Sequence, residues 1–514
     1  MKINDKYYIT TAISYPNGRP HMGHAYEVVA TDAIARFHRL SGRDVRFLTG
    51  TDEHGLKVAQ AARTAGIAPL AYVDEMVSSF KELASLLNIS HDRFIRTTDP
   101  DHIAACQTLW RALAANDDLY LGRYEGWYSV RDEAYYEPAE LIDAEDASGA
   151  KLKLSPQGTP VEWTIEESWF FRLSKYQDQL LALYDAHPQF VQPASRRNEM
   201  RAFVAGGLRD LSISRTSFDW GVPVPDSPGH VMYVWIDALT NYLSGAGYPA
   251  ENQWWPADLH VVGKDVVRFH AVYWPAFLWS AGLALPTTVF GHGHILNRGE
   301  KMSKSLGNVV DPFELAATYG VDQLRWFLLR DVAFGEDGSY SEAAIAERSN
   351  ADLANGIGNL AQRCLSMISK NCDGRVPVQP VRNADDDQLL GDLVALTTTY
   401  MEEMRFLRLH RALEIIMQMV ALANGYFADA APWSLKKTDP RRMASVLYAT
   451  ADAIRRIAIL AQPAMPVACA ALLDQLNEPT DCRDFSALNS ALNMGAQLPE
   501  PSGVFPRWVA PDAA

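Results

Sequence analysis

Between Tyr7 and Leu48 the hydrophobic pattern of the chain changes from strand to helix and back to strand, and no other feature restricts the fold as much. Tyr7 to Ile13 is a β-rich run that predicts a strand. It enters Tyr15-Pro16-Asn17-Gly18, a turn signature, and Pro20 follows where proline is favoured at a helix start. From Ala25 to Leu40 the apolar residues Val28, Val29, Ala33, Ile34, Phe37 and Leu40 recur at three- and four-residue steps, and Gly42 is placed to end the helix. Val45 to Leu48 predicts a second strand. Parallel strands need a helical crossover of this kind, so the unit predicts a doubly wound parallel sheet with ligands beyond the carboxyl ends of its strands.

From about Tyr120 to Val224 that rhythm is lost to aromatic, acidic and turn-rich sequence, including Gly126-Trp127-Tyr128 and Glu166-Glu167-Ser168-Trp169-Phe170-Phe171. This stretch is expected to be an insertion that splits the α/β domain. Strands are predicted again at Val231 to Ile236, Leu259 to Val262 and Thr288 to Phe290, with a helix from Val266 to Trp279. Beyond Ser349 the long periodic stretches Leu389 to Phe427 and Arg441 to Ala461 predict a helical bundle. The expected division is 1–117 and 229–290 for the two halves of the sheet domain, 118–228 for the insertion, 291–348 for a loop-bearing connection and 349–514 for the bundle.

The chain has 514 residues, 48% of them hydrophobic, and a formal net charge of −15. That charge excludes a protein that coats nucleic acid indiscriminately, DNA included, since backbone phosphates are bound by Lys and Arg. Any nucleic-acid partner must meet local basic patches. No basic start is followed by an apolar leader, and no apolar run is long enough for a membrane span, so a cytoplasmic protein is expected. Cys106, Cys364, Cys372, Cys469 and Cys482 are scattered without C-x₂-C spacing and predict reduced thiols rather than a metal site.

His21-Met22-Gly23-His24 opens the predicted helix. Histidines three apart on a first turn face one way, beside backbone N–H groups expected to be free and the positive end of the helix dipole. That combination predicts a phosphate site. Chance would produce H-x-G-H about 0.02 times in a chain of this composition. Far downstream, Lys301-Met302-Ser303-Lys304-Ser305 lies between Asn297-Arg298-Gly299-Glu300 and Leu306-Gly307-Asn308, a Gly-rich setting for a loop that closes over a polyanion. Two ammonium groups there suit the charge that builds on a leaving pyrophosphate.

Together the two motifs resemble class I aminoacyl-tRNA synthetases, and further segments are similar to the methionyl-tRNA synthetase family over nearly the whole chain. These are Ala12-Ile13-Ser14-Tyr15, Gly50-Thr51-Asp52-Glu53-His54-Gly55, Val234-Trp235-Ile236-Asp237-Ala238-Leu239-Thr240-Asn241-Tyr242 and Gly263-Lys264-Asp265 through His270. The resemblance implies a Rossmann-like catalytic domain split by a connective insertion and followed by an all-α anticodon-binding bundle. It implies a methionine pocket of Ala12, Ile13, Tyr15, Asp52, Trp235, Ala238, Leu239, Tyr242, Val266 and His270. Asp52, past a strand end, suits the substrate ammonium, and the aromatic and aliphatic groups suit a polarizable thioether. His21, Gly23, His24, Lys301 and Lys304 are implied for ATP, with Gly293, His294 and Ile295 near adenine, Asp265 near the ribose, and Arg215 on the substrate carboxylate side. Asp52 and His54 are too few ligands for a metal reading.

Many relatives carry a zinc knuckle in the insertion, but here the matching stretches read Ser129-Val130-Arg131-Asp132 and Ser155-Pro156-Gln157-Gly158. A structural zinc needs about four N or S ligands, so a metal-free insertion held by Trp127, Tyr128, Trp163 and Trp169 is expected. In the bundle, the resemblance assigns Asn359, Arg363 and Trp433 to the anticodon. The implied reaction converts L-methionine and ATP, with Mg²⁺, to methionyl-adenylate and pyrophosphate, and then moves methionine to the terminal ribose of tRNA(Met), initiator tRNA included. A monomer without the appended dimerising domain of some relatives is expected. A nucleotidylyltransferase shares an HxGH helix but needs no distal bundle; a tRNA-binding protein without catalysis needs no intact ATP motifs. The leucine, isoleucine and valine enzymes carry a larger insertion than about 105 residues, and the cysteine enzyme's metal thiolates are absent.

Overall fold

The computed structural model describes residues 5–131, 134–145, 151–250, 253–297, 299–302, 307–378 and 382–510. Its central sheet has six strands in the order Arg93–Arg96, Asp44–Thr51, Lys6–Thr11, Leu259–Gly263, Thr288–His292 and Val191–Gln192. Every neighbouring pair is parallel. The order reverses beside Lys6–Thr11, so the crevice of this doubly wound sheet opens at residues 12–15, just past that strand. The edge strand Val191–Gln192 comes from within the stretch expected to be insertion and pairs with Val289 and Phe290.

The first crossover is the helix Met22–Leu40, with His21 as its N-cap. Pro20 therefore stands just before the helix rather than in its first turn, while Gly42 follows the C-terminus as expected. Most of this helix is buried, which places it between the sheet and the helices that follow.

Two predicted elements take other forms. Val231 to Ile236 is a strand only at Val231–Met232, and the helix Val234–Ser244 begins two residues later. This helix is buried on all sides, and a continuous apolar run does not distinguish a buried strand from a buried helix. Val266 to Trp279 is not one regular helix: a short 3₁₀ turn at Lys264–Val266 leads to a π segment at Phe269–Tyr273 and an α-helix at Trp274–Ser280. Pro275 has no N–H to offer the carbonyl of Ala271. Tyr184 supplies the missing donor, its hydroxyl lying 2.7 Å from that carbonyl.

The insertion proper is an antiparallel sheet in the order Leu211–Ser212, Glu162–Phe171, Leu119–Ser129, Ala134–Tyr136. Trp127 and Trp163 face each other across it, ring centroids 5.5 Å apart, although Trp163 is half exposed. In the two stretches that match the zinc knuckle of relatives, Ser129 and Ser155 are buried and both meet the Thr159 hydroxyl, at 2.7 and 2.8 Å.

The carboxyl-terminal part is helical, built on Asn359–Asn371, Ala384–Arg405, Leu409–Ala430, Pro440–Ala461 and Pro466–Gln475. The periodic stretch from Leu389 to Phe427 is two antiparallel helices, broken where Leu407 takes φ +58°. One fully buried ion pair joins this part to the sheet domain. Arg325 reaches Asp32 on the Met22–Leu40 helix at 2.7 Å, the carbonyl of Leu87 at 3.0 Å, and the carbonyls of Pro463 and Ala464 at 3.0 and 2.9 Å. Removing Arg325 takes the fully buried partner from Asp32 and leaves it only the partly exposed Arg36. Arg325→Met should therefore cost about 3–5 kcal/mol in urea unfolding followed by tryptophan fluorescence, and adding Asp32→Asn should recover part of that loss.

Candidate functional site

The first turn of the Met22–Leu40 helix is capped by its own histidines. His21 Nδ1 accepts from the N–H of Gly23 at 3.0 Å, and His24 Nδ1 accepts from the N–H of His21 at 3.1 Å. The rings lie 4.0 Å apart. A backbone N–H donates to each Nδ1, so the proton of each neutral ring is on Nε2. The expectation of free backbone N–H groups is thereby corrected: Gly23 N–H serves His21, and Met22 N–H donates to the Val310 carbonyl at 3.2 Å. This arrangement sets the Nε2–H groups of both rings at the capped turn, with the helix dipole behind them.

Gly23 is required by this cap. A Cβ there would lie 2.8 Å from His21 Cε1.

Two cavities meet at this turn. One, of about 200 Å³, is lined by His21, Gly23, His24, Tyr26, Glu27, His292, Gly293, His294, Ile295 and Met302. It gathers six of the residues expected for ATP. The other, of about 340 Å³, is lined by Ala12, Ile13, Ser14, Tyr15, His24, Glu27, Asp52, Lys57, Arg131, Val234, Trp235, Gly263, Asp265 and Val266. His24 and Glu27 line both. Asp265, on the second, pairs with His294 of the first at 3.1 Å. Glu27, Lys57 and Arg131 were not expected. Glu27 was findable, because it is one turn after His24 on the same helix face; it meets His292 Nε2 at 2.8 Å.

Of the residues expected around methionine, Ala12, Ile13, Tyr15, Asp52, Trp235 and Val266 line the second cavity. Ala238, Leu239, Tyr242 and His270 do not; all four are buried. Trp235 is stacked on Phe269 at 3.6 Å with its edge toward His270. Tyr242 donates its hydroxyl proton to His270 Nε2 at 2.6 Å, and His270 Nδ1–H donates to the Val266 carbonyl at 2.9 Å. Burial pushes the His270 pKa down to about 4, so the ring is neutral near pH 7. Arg215 is buried, bonded to Ser212 Oγ and the Ser214 carbonyl, and is not among the residues lining either cavity.

Asp52 is held by its surroundings. Its N–H donates to the Ser14 carbonyl at 2.9 Å. Next to it Glu53 is fully buried and takes two hydrogen bonds from Arg96, at 2.7 and 2.8 Å. His54, considered above as a metal ligand, instead meets the Asp237 carboxylate.

Lys304 lies outside the described residues, and of Lys301 only the backbone is described, in a short strand paired with Leu296. Met302 lines the first cavity, which puts the start of this loop against the two histidines. In the bundle, the Arg363 guanidinium is 5.5 Å from the Trp433 ring centroid and 5.0 Å from Phe427, while Trp433 is 49% exposed. Asn359 is exposed one turn before Arg363. Among the described residues no helix is long and apolar enough to cross a membrane.

Known proteins match the chain along nearly its whole length. A family described as tRNA synthetases class I (M) matches residues 7–365, and one described as the anticodon binding domain of methionyl tRNA ligase matches residues 376–512. The methionine–tRNA ligase of Mesorhizobium japonicum is 58% identical over 511 residues, 98% of each chain. That of Mycobacterium bovis is 55% identical over 520 residues, again 98% of each chain. Mycobacterium tuberculosis methionyl-tRNA synthetase in complex with methionyl-adenylate superposes with a TM-score of 0.95 at 54% identity, covering 98% of this chain and 100% of that one.

Gly23→Ala should push the His21 ring out of its cap and lower the rate of ATP–pyrophosphate exchange by about a hundredfold, the scale of losing one aligned donor to developing charge. Circular dichroism should show the helix content unchanged.

Proposed function

Because the chain belongs to the class I tRNA synthetases for methionine, ligases that activate methionine with ATP and charge tRNA, we propose how its cavities and helices divide that work. The observation that carries the proposal is the sharing of His24 and Glu27 by the two cavities. A nucleotide in the smaller cavity and an amino acid in the larger one meet there, which is the geometry an in-line attack needs.

ATP occupies the smaller cavity with adenine against Gly293, His294 and Ile295 and its ribose toward Asp265. Methionine occupies the larger one with its ammonium on Asp52 and its thioether toward Trp235 and the Tyr242–His270 pair. A methionine carboxylate oxygen attacks the α-phosphorus, the bond to the bridging oxygen breaks, and pyrophosphate leaves. The Nε2–H groups of His21 and His24 face the charge that moves onto the phosphates, and Lys301 and Lys304 close over it. Mg²⁺ arrives with the nucleotide as part of the substrate, since two imidazoles rather than a carboxylate cage stand at the capped turn. The tRNA terminal ribose hydroxyl then takes the methionyl group and AMP leaves.

The anticodon is assigned to Asn359, Arg363 and Trp433. An exposed indole edged by a guanidinium offers an unpaired base a stacking surface and a cation. The insertion is assigned no zinc: the Ser129, Thr159 and Ser155 hydroxyls close the hairpin by hydrogen bonds instead. Stoichiometric zinc in the purified protein would overturn that assignment.

Two measurements test the main reading. Of methionine, leucine, isoleucine, valine and cysteine, only methionine should support rapid ATP–pyrophosphate exchange. Trp433→Ala should raise KM for tRNA at least about tenfold, the cost of one lost stacking contact, and leave the exchange reaction unaltered. Equal damage to both steps would remove Trp433 from the tRNA interface.

A further inference from the structure

Asp237 lies on the helix Val234–Ser244 between Trp235 and Ala238, and its side chain is fully buried. Its two carboxylate oxygens are divided between two histidines: Oδ2 accepts from His54 Nδ1 at 2.6 Å, and Oδ1 accepts from His102 Nε2 at 2.7 Å. His102 Nδ1 continues to Ser244 Oγ at 2.9 Å, and Cys106 Sγ stands 3.2 Å from His102 Nε2. Three elements remote in sequence converge on this carboxylate: the segment after the strand Asp44–Thr51, the helix Pro100–Ala115 and the helix Val234–Ser244.

His102, Cys106 and Asp237 have the residue types of a metal site, with their ligand atoms within 4.8 Å of one another. The geometry is that of a hydrogen-bonded bracket. His102 Nε2 and Asp237 Oδ1 are 2.7 Å apart, whereas two ligands at about 2.0–2.1 Å from a tetrahedral metal lie about 3.3 Å apart. Burial alone would raise the Asp237 carboxyl; His54 and His102 overcome that and hold it below the ordinary carboxylate range.

We propose that Asp237 is a positioning residue for methionine activation, holding the segment that carries Asp52 at a set distance from the helix that carries Trp235. Asp52 is two residues before His54, and Trp235 is two residues before Asp237. One bond of 2.6 Å thus sets the separation between the group that takes the substrate ammonium and the aromatic wall that takes its side chain. An apolar contact of equal volume stabilises a fold as well, but it does not fix direction. Two imidazole N–H groups on the two oxygens of one carboxylate do. The segment is held on its other side as well: the Gly55 N–H donates to the Trp220 carbonyl at 3.1 Å, at a φ of +107° that a side chain rarely adopts. The inference rests on the placement of the methionine ammonium at Asp52 proposed above.

The test is methionine-dependent pyrophosphate exchange in the full chain, with KM measured separately for methionine and ATP. His54→Leu removes the donor and should raise KM for methionine about tenfold or more while leaving KM for ATP within about twofold, as expected for one lost hydrogen bond to a charged group. His54→Asn puts an amide N–H near the place of Nδ1 and should restore KM for methionine to within about threefold of the parent. If His54→Leu gives no folded protein, Asp237→Asn decides in the same assay; it sets an N–H against an imidazole N–H and should show the same split. Asp52→Asn separates the two ideas. An unchanged KM for methionine in Asp52→Asn overturns the ammonium site. A raised KM there, with His54→Leu and Asp237→Asn unchanged or impaired equally for both substrates, overturns the bracket.

Discussion

Asp32 is a carboxylate with no access to water, placed midway along the helix whose first turn lines both cavities. An unpaired charge there would be untenable, since burial in a low-dielectric core costs several kcal/mol per ion. Arg325 answers it, and the Arg36 guanidinium and the Ser90 N–H and hydroxyl share the load. The remaining donors of Arg325 reach Leu87, Pro463 and Ala464. Neutralising one carboxylate therefore also fixes where the helical bundle meets the sheet domain. The helix that presents His21 and His24 cannot shift without disturbing a joint that spans both parts of the chain.

That rigidity suits the way the first turn is used. Helix amino termini commonly bind anions through open N–H groups, but here those of the first turn are taken: His21 and Gly23 donate to the two imidazoles, Met22 to the Val310 carbonyl and His24 to the His21 carbonyl. What is gained is tautomer control. Each N–H that binds an Nδ1 obliges the ring to carry its proton on Nε2, so the donors stand on imidazoles, farther from the backbone. His24 and Glu27, which line both cavities, are one turn apart on this helix.

Local spacing was the part of this architecture most legible in the residues. HMGH, Gly42 and the strand from Tyr7 all lie within one crossover, and short-range rules apply to them. The errors arose where tertiary context decides. Val231 to Ile236 is as apolar as a buried strand, and an enclosed run of that kind fits strand or helix equally; only Val231–Met232 is strand, and the helix begins at Val234. Val191–Gln192 is too short to show a period, and its strand character comes from pairing with Val289 and Phe290. Tyr242 and His270 could be named only by resemblance, since their mutual bond joins residues 28 apart. The bond between His54 and Asp237 spans 183 residues, and no pattern of spacing announces it.

The two ends of the larger cavity are built on opposite physical terms, a contrast that suits the proposed binding of an amino acid with an uncharged tail. At the Asp52 end, charge and hydrogen bonds are dense: Glu53, Arg96, His54 and Asp237 hold the backbone from several sides. At the far wall, burial has removed charge. His270 is kept neutral and both its nitrogens are engaged, one by Val266 and one by Tyr242. A wall of that kind has no unbalanced charge to attract an acidic or basic side chain and is lined with polarizable ring surface that suits sulfur. Under the proposed assignment, discrimination at that end comes from shape and the absence of charge, whereas orientation comes from the fixed carboxylate at the other. The distance between them would then measure the length of the side chain.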